Sequence, residues 1–117
     1  MRPGQEWWQF LNKIMEYKIN DLEKMMEFPR EGIFSKVLVK TDISNYTLMC
    51  LAKGSDISEH TSTREAAVIV LKGKGMFVLK GKKIKMNPGV FIFMPKNSPH
   101  SLSASENLAI LLSLSGK

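Results

Sequence analysis

The sequence predicts an all-β sandwich or small barrel that follows a short, partly helical N-terminal extension. Three observations support this prediction. Apolar residues recur at strand spacing from Ile33 onward, glycine and proline mark frequent turns between these runs, and no helical periodicity separates them. At 117 residues, with 44% hydrophobic and 24% charged residues, the chain has the size and composition of one globular domain with its own core.

The predicted extension covers residues 1–32. Apolar residues recur there at three- and four-residue spacing, which predicts one or two short amphipathic helices formed by Trp7, Phe10, Leu11, Ile14, Met15, Leu22, Met25 and Met26. Asp21 is the predicted N-cap of the second helix, and Gly32 closes the region. Met15 is a second candidate for the initiating residue. Trp7 and Trp8 are expected to pack on the barrel or on a partner subunit, because both are costly to leave in water.

Residues 33–117 form the predicted β domain. Seven runs have the alternation or the apolar character of strands, over residues 36–40, 46–52, 66–71, 76–79, 84–86, 90–94 and 108–114. The turn Asn87-Pro88-Gly89 is a strong break between two of them. The chain has one cysteine, Cys50, which excludes an intrachain disulfide; its apolar surroundings predict a buried, inert thiol.

Charge and hydropathy restrict the partners that we expect. The net charge of +6 is concentrated on a predicted hairpin that carries Lys72, Lys74, Lys80, Lys82, Lys83 and Lys85. No aromatic residues are interleaved for base stacking, so we interpret these lysines as a solvated surface and expect no nucleic-acid partner. No apolar stretch approaches the roughly 20 residues of a membrane span, and polar residues interrupt the N-terminal apolar ones. We therefore expect a cytoplasmic protein without a membrane partner.

Two spaced motifs surround the two histidines. Gly54 precedes His60 by five intervening residues, and Gly73 closes the first motif. In the second, five residues separate Gly89 from Pro95, and four separate Pro95 from His100. The chain resembles the cupin superfamily, whose motifs are G-x5-H-x-H-x3-E-x6-G and G-x5-P-x-G-x2-H-x3-N. The resemblance implies a double-stranded β-helix, or jelly-roll, barrel with a site around His60 and His100.

The departures from these motifs fall on the expected metal ligands. Ser62 replaces the second histidine, Ala66 the glutamate, and Ala104 the terminal asparagine. Asn97 stands in place of a glycine, and it is another residue that adopts a left-handed backbone conformation. Of the four ligands that the resemblance implies, only two histidines remain, so one divalent ion (Fe, Mn, Ni or Zn) would be held weakly or not at all.

Glu65 is the candidate third ligand, one position before the glutamate of the motif. On a regular strand, this offset of one residue points the Glu65 side chain away from His60 and His100. A turn or bulge would bring it inward and complete a set of two histidines and one carboxylate, which suits iron(II) or manganese(II). Both alternatives stay open at the level of sequence.

The remaining predicted pocket residues are Ser62, Met49, Phe77 and Phe93. Phe91 and Phe93 share one face of their strand, opposite Ile92 and Met94, and the phenylalanines and methionines are expected to line or fill the barrel.

Three functions are compatible with these residues. The first is a small-molecule-binding barrel with its pocket at His60 and His100. The second is a metal-dependent enzyme, a dioxygenase, isomerase or lyase that acts on a small oxygenated substrate. The third is a non-catalytic, oligomeric interaction protein. The resemblance also implies a homodimer formed through the β-sheets.

Overall fold

Two antiparallel sheets pack face to face, with the hydrophobic core between them. The computed structural model describes residues 17–116, and in this part a one-turn helix precedes nine strands. The predictions on Trp7, Trp8, Met15 and the first helix lie outside the described residues. The elements are α1 (Leu22–Met25), β1 (Ile33–Lys40), β2 (Ser44–Leu51), β3 (Asp56–His60), β4 (Glu65–Lys72), β5 (Gly75–Leu79), β6 (Lys82–Met86), β7 (Phe91–Met94), β8 (His100–Ala104) and β9 (Leu108–Ser115).

The strand order follows the jelly-roll expected from the sequence. One sheet has five strands in the order β1-β2-β9-β4-β7, and the other has four in the order β3-β8-β5-β6. Consecutive strands therefore often lie in different sheets, and the chain crosses between the sheets at the turns. The second sheet places β3 beside β8, and these two strands carry the histidines.

The core follows from strand alternation. In β4, Ala66, Val68 and Val70 are buried and face the second sheet, whereas Glu65 and Ile69 are exposed. Residues from both sheets complete this cluster, among them Leu51, Phe77, Met86, Met94, Leu102, Leu108 and Ile110.

A second apolar cluster lies on the outer face of the five-stranded sheet. Leu48, Cys50 and Ala109 are fully buried there, and Met26 and Phe28 from the segment around α1 pack against them. The side chain of Asp21 accepts a hydrogen bond from the main-chain nitrogen of Lys24 at 3.4 Å, which confirms the predicted N-cap. The burial of the Cys50 thiol is confirmed as well.

The turn between β4 and β5 depends on one glycine of the first motif. Gly73 has a φ of +89°, and a Cβ at this position would overlap the carbonyl oxygen of Asn107. Glycine is therefore required both by the backbone conformation and by the close approach of a second chain segment.

Two predictions about the strands need correction. Phe91 and Phe93 share one face as predicted, but it is the outer face, and their side chains are 62% and 49% exposed. Ile92 and Met94 take the inward positions of β7 instead. The sequence also did not predict β3 and β8, because four of the five residues of β3 are polar and both strands are short.

Candidate functional site

The two histidines form a cross-strand pair. His60 ends β3 and His100 begins β8, and the two residues are direct partners in the antiparallel ladder. Their ring centroids lie 4.1 Å apart, and the ring planes are inclined by 57°. An irregularity in the pairing between Ile57 and His60 precedes this contact. Because directly opposed residues on adjacent strands share a face, the sheet itself brings together two side chains that are distant in sequence.

Both imidazoles are held in the same way by the main chain. Nδ1 of His60 lies 2.8 Å from the carbonyl oxygen of Ser58, and Nδ1 of His100 lies 2.8 Å from the carbonyl oxygen of Ser98. A carbonyl oxygen only accepts hydrogen bonds, so Nδ1 of each ring must carry the proton and donate. In the neutral imidazole, this leaves Nε2 without a proton, with its lone pair available to a ligand.

The surroundings of the two rings differ. His100 is only 8% exposed, and the ring of Phe77 lies parallel to it, with the centroids 5.8 Å apart and the planes inclined by 6°. His60 is exposed. One imidazole is therefore packed into the barrel and fixed by an aromatic neighbour, whereas the other is accessible from solvent.

A small cavity inside the barrel is lined by both histidines. Its volume is ≈ 80 Å³, below the several hundred Å³ of sites for drug-sized ligands. Apart from the histidines, its lining is entirely apolar and comes from Met49, Ile57, Val68, Phe77, Met94, Leu102, Ile110 and Leu112. The cavity thus has an apolar lining apart from the two imidazole rings, whose centroids lie 4.1 Å apart.

Glu65 does not join the histidines. It is exposed at the start of β4, where the alternation that buries Ala66 and Val68 directs it outward. Among residues 17–116, no group of three or more His, Cys, Asp or Glu side chains could hold a metal ion. Of the two alternatives for Glu65, the structure shows the regular strand, and the set of two histidines and one carboxylate is not formed.

Ser62 and Phe93 lie outside the cavity lining. The Ser62 hydroxyl accepts a hydrogen bond from the main-chain nitrogen of Arg64 at 3.1 Å, and its carbonyl accepts one from Asn97 at 2.7 Å. Ser62 therefore ties the loop after β3 to the loop before β8. Phe93 points outward on β7, so its prediction as a pocket residue is wrong. Asn97 has a φ of 62°, as expected for the residue that replaces a glycine.

Met49 and Phe77, the other two predicted pocket residues, do line the cavity. Met94, which the sequence placed among the residues that line or fill the barrel, also lines the cavity, and it has an inward position on β7. Leu102 was missed, although strand alternation could have found it, because it lies two positions after His100 on β8 and shares its face. Ile110 and Leu112 could be assigned to the lining only once the sheet topology was known, because β9 lies in the five-stranded sheet and the histidines lie in the four-stranded one.

No helix among the described residues is long and apolar enough to span a bilayer.

Comparison with known proteins agrees with this architecture. The family model described as a cupin domain matches residues 47–114. A conserved protein of unknown function from Streptococcus pyogenes superposes with a TM-score of 0.78 at 28% identity, over 86% of this chain and 88% of that chain. A cupin 2 conserved barrel domain protein from Leptotrichia buccalis gives 0.76 at 30% identity, over 80% of this chain and 46% of that chain. An uncharacterised protein of Aquifex aeolicus is 28% identical over 102 residues, which are 83% of this chain and 82% of that protein.

Proposed function

This chain belongs to the cupin family, and from that premise we propose that it binds a small molecule inside the barrel, against His60 and His100. One observation carries the proposal: both rings that line the apolar cavity have Nδ1 tied to a main-chain carbonyl, which leaves two Nε2 atoms without protons. Two such atoms accept hydrogen bonds. The ligand that fits has a short apolar body and a polar end that donates hydrogen bonds.

The size of the cavity narrows the ligand class further. A volume of ≈ 80 Å³ admits a molecule of only a few non-hydrogen atoms unless the walls move. Methionine side chains line it at Met49 and Met94, and methionine adapts its shape more readily than other apolar side chains. Small alcohols, amides and hydroxy acids are the compounds to test first.

The tautomers can be tested directly by nitrogen NMR. The chain contains only two histidines, so long-range proton–nitrogen spectra at neutral pH give two sets of imidazole signals. We expect the neutral form of each ring to carry its proton on Nδ1. A neutral ring protonated on Nε2 in both residues would remove the basis of the proposal.

Ligand binding can be followed at the methionine methyl groups. We expect small alcohols, amides and hydroxy acids to shift the signals of Met49 and Met94, which line the cavity, and not that of Met76, outside its lining. The double variant His60→Ala, His100→Ala should lose roughly ten-fold or more in affinity, because two acceptors are removed. If no compound shifts either cavity methionine at millimolar concentration, the proposal fails.

A metal-dependent cupin enzyme is the second candidate function. A main-chain carbonyl bonded to Nδ1 is also the usual support of a metal-binding histidine, and imidazole suits Fe, Ni and Zn. The number of ligands is insufficient, however. Catalytic zinc sites use three protein ligands, and the described residues provide two beside each other. The pair therefore fits a weakly held ion better than a resident one.

Elemental analysis separates the two candidates. Protein purified without added metal is compared with the double variant His60→Ala, His100→Ala. Binding of a small molecule that persists in excess chelator, with little metal in both proteins, supports the first function. Stoichiometric metal that is present only in the unsubstituted protein supports the second.

A further inference from the structure

An open groove lies on the outer face of the four-stranded sheet, on the opposite side of that sheet from the barrel cavity. Its volume is ≈ 320 Å³, at the lower end of the range of small-molecule sites. The groove crosses three neighbouring strands, in the order β3, β8, β5. We call it the outer groove; the side chains that define it are those of Asp56, Glu59, Ser101, Ser103, Met76 and Val78.

Strand alternation separates the outer groove from the barrel cavity. In β8, Ser101 and Ser103 alternate with buried residues of the core. In β5, Met76 and Val78 flank the buried Phe77 and therefore lie on the other face of the strand. The sheet itself stands between the two sites, so a ligand can occupy one of them without the other.

The three strands present three kinds of chemistry side by side. In the lining of the outer groove, β3 contributes two carboxylates, β8 contributes serine hydroxyl groups, and β5 contributes apolar side chains. Ser103 is the direct partner of both Asp56 and Met76, so these three residues form one row across the sheet. Adjacent strands lie about 4.8 Å apart, which puts about 10 Å between the two ends of the row. A molecule lying across the strands therefore meets an anionic, a hydroxyl and an apolar band in turn.

The charge of the outer groove is opposite to that of the chain. The chain has a net charge of +6, whereas Asp56 and Glu59 are the charged residues of the lining. No ion pair among residues 17–116 involves either carboxylate. On the far side of the apolar band, β6 carries Lys83 and Lys85. A cation is thus attracted to the β3 side and repelled from the β6 side, and this determines the direction in which it lies.

We propose that the outer groove binds an aliphatic amino alcohol, with its ammonium group at the two carboxylates, its hydroxyl group at the serines of β8 and its apolar chain on β5. Each part of such a molecule matches one band, and the order of the parts matches the order of the strands. An ammonium group donates hydrogen bonds to carboxylates, and a serine hydroxyl both donates and accepts. The proposal does not depend on the function proposed for the barrel cavity.

NMR titration of the full chain with leucinol tests the proposal, with the methyl group of Met76 as the reporter. We expect the Met76 signal to shift, with a dissociation constant of about 1 mM, as is typical of a ligand with so few atoms. The signals of Met49 and Met94, in the cavity, should stay unchanged. Isohexanol lacks the ammonium group and ethanolamine lacks the apolar chain, so each should bind roughly five-fold more weakly or worse. Added salt should weaken the binding of leucinol, because its ion pair is exposed to solvent.

A charge-neutralising variant locates the ammonium group. The double variant Asp56→Asn, Glu59→Gln keeps the size of both side chains and should lower the affinity for leucinol roughly five-fold or more. The control Asp42→Asn, Glu65→Gln changes the net charge by the same amount at exposed positions next to the other sheet, and it should bind leucinol as the unsubstituted chain does. Circular dichroism establishes that both variants are folded.

Three results would overturn the proposal: no shift of the Met76 signal at tens of millimolar leucinol, isohexanol that binds as tightly as leucinol, or equal losses of affinity in the double variant and its control. If leucinol shifts the cavity methionines in place of Met76, it occupies the barrel, which would count for the function proposed there and against the outer groove.

Discussion

A main-chain carbonyl two positions earlier in the chain fixes each histidine of the pair. Ser58 and Ser98 supply these carbonyls, and their side chains take no part in the contacts to the rings. The tautomer of each ring is therefore set by backbone conformation. Substitution of either serine would leave the acceptor in place, whereas a change of the loop path would remove it. Substitutions around the site thus affect the histidine tautomers only if they change the backbone conformation that positions these carbonyls.

At the same scale, Gly73 is a position where substitution is costly for backbone reasons. Gly73→Ala is expected to lower the free energy of unfolding by about 3 kcal/mol or more, since a Cβ there is strained by the positive φ and overlaps Asn107. Gly81 has a φ of +81° with open space around it, so Gly81→Ala should cost only about 1–2 kcal/mol. Urea unfolding of both variants measures the difference. Equal losses would show that the contact with Asn107 is relieved at no cost.

Single residues also show what the sequence does and does not predict. The spacing of glycines, Pro95 and the histidines identified the family, because these residues set turns at fixed intervals. The direction of Glu65 was left open, since a bulge of one residue reverses which face a side chain takes. The structure follows the regular alternation at this point, with Glu65 exposed and Ala66 buried.

Among the elements, β3 and β8 determine the site, and they were the two strands that the sequence did not predict. β8 alternates His100, Leu102 and Ala104 with two serines, a pattern that in retrospect is that of a half-buried strand. β3 has no such pattern, and it forms because β8 provides its partner. Local propensity cannot predict a strand whose stability comes from tertiary pairing. The other seven strands of the described residues, by contrast, were predicted from the sequence.

Strand β5 supports the site from within the core. Phe77 is 1% exposed and stacks on His100, so Phe77→Ala should lower the free energy of unfolding by about 3–5 kcal/mol. Val78 is the next residue of the same strand and is only partly buried, and Val78→Ala should cost about 1 kcal/mol or less. Denaturant unfolding of both variants, at the same protein concentration, measures the two free energies of unfolding. A loss below about 1 kcal/mol for Phe77→Ala would contradict the assigned packing.

On the scale of the whole molecule, the five-stranded sheet is covered on its inner face and on part of its outer face. Its inner face contacts the other sheet, and part of its outer face is covered by Met25, Met26 and Phe28 around Cys50. The residues around α1 therefore belong to the packing of the domain. Sequence periodicity predicted that these residues are apolar on one side, but it could not show which surface of the barrel they meet.

The rate at which a thiol reagent labels Cys50 measures how often the residues around α1 move away from the sheet. The chain has one cysteine, and its side chain is fully buried, so labelling by a thiol reagent requires the covering segment to open. Phe28→Ser should raise the labelling rate roughly ten-fold, as expected when about 1.4 kcal/mol of packing is lost. Ile19→Ser is the control in the same segment, because Ile19 is 58% exposed and should leave the rate unchanged. A rate unaffected by Phe28→Ser would mean that Cys50 is protected by other contacts.

The direct opposition of His60 and His100 has a further consequence for unfolding. The two residues lie 40 positions apart in the chain, and the four strands from β4 to β7 lie between them. A ligand bound to both imidazoles holds β3 against β8 and closes this segment into a loop. Closing a loop of that length with a covalent link is worth about 4 kcal/mol in chain entropy. A bound ligand would thus act as a removable cross-link, and its dissociation would have to precede the separation of the two strands.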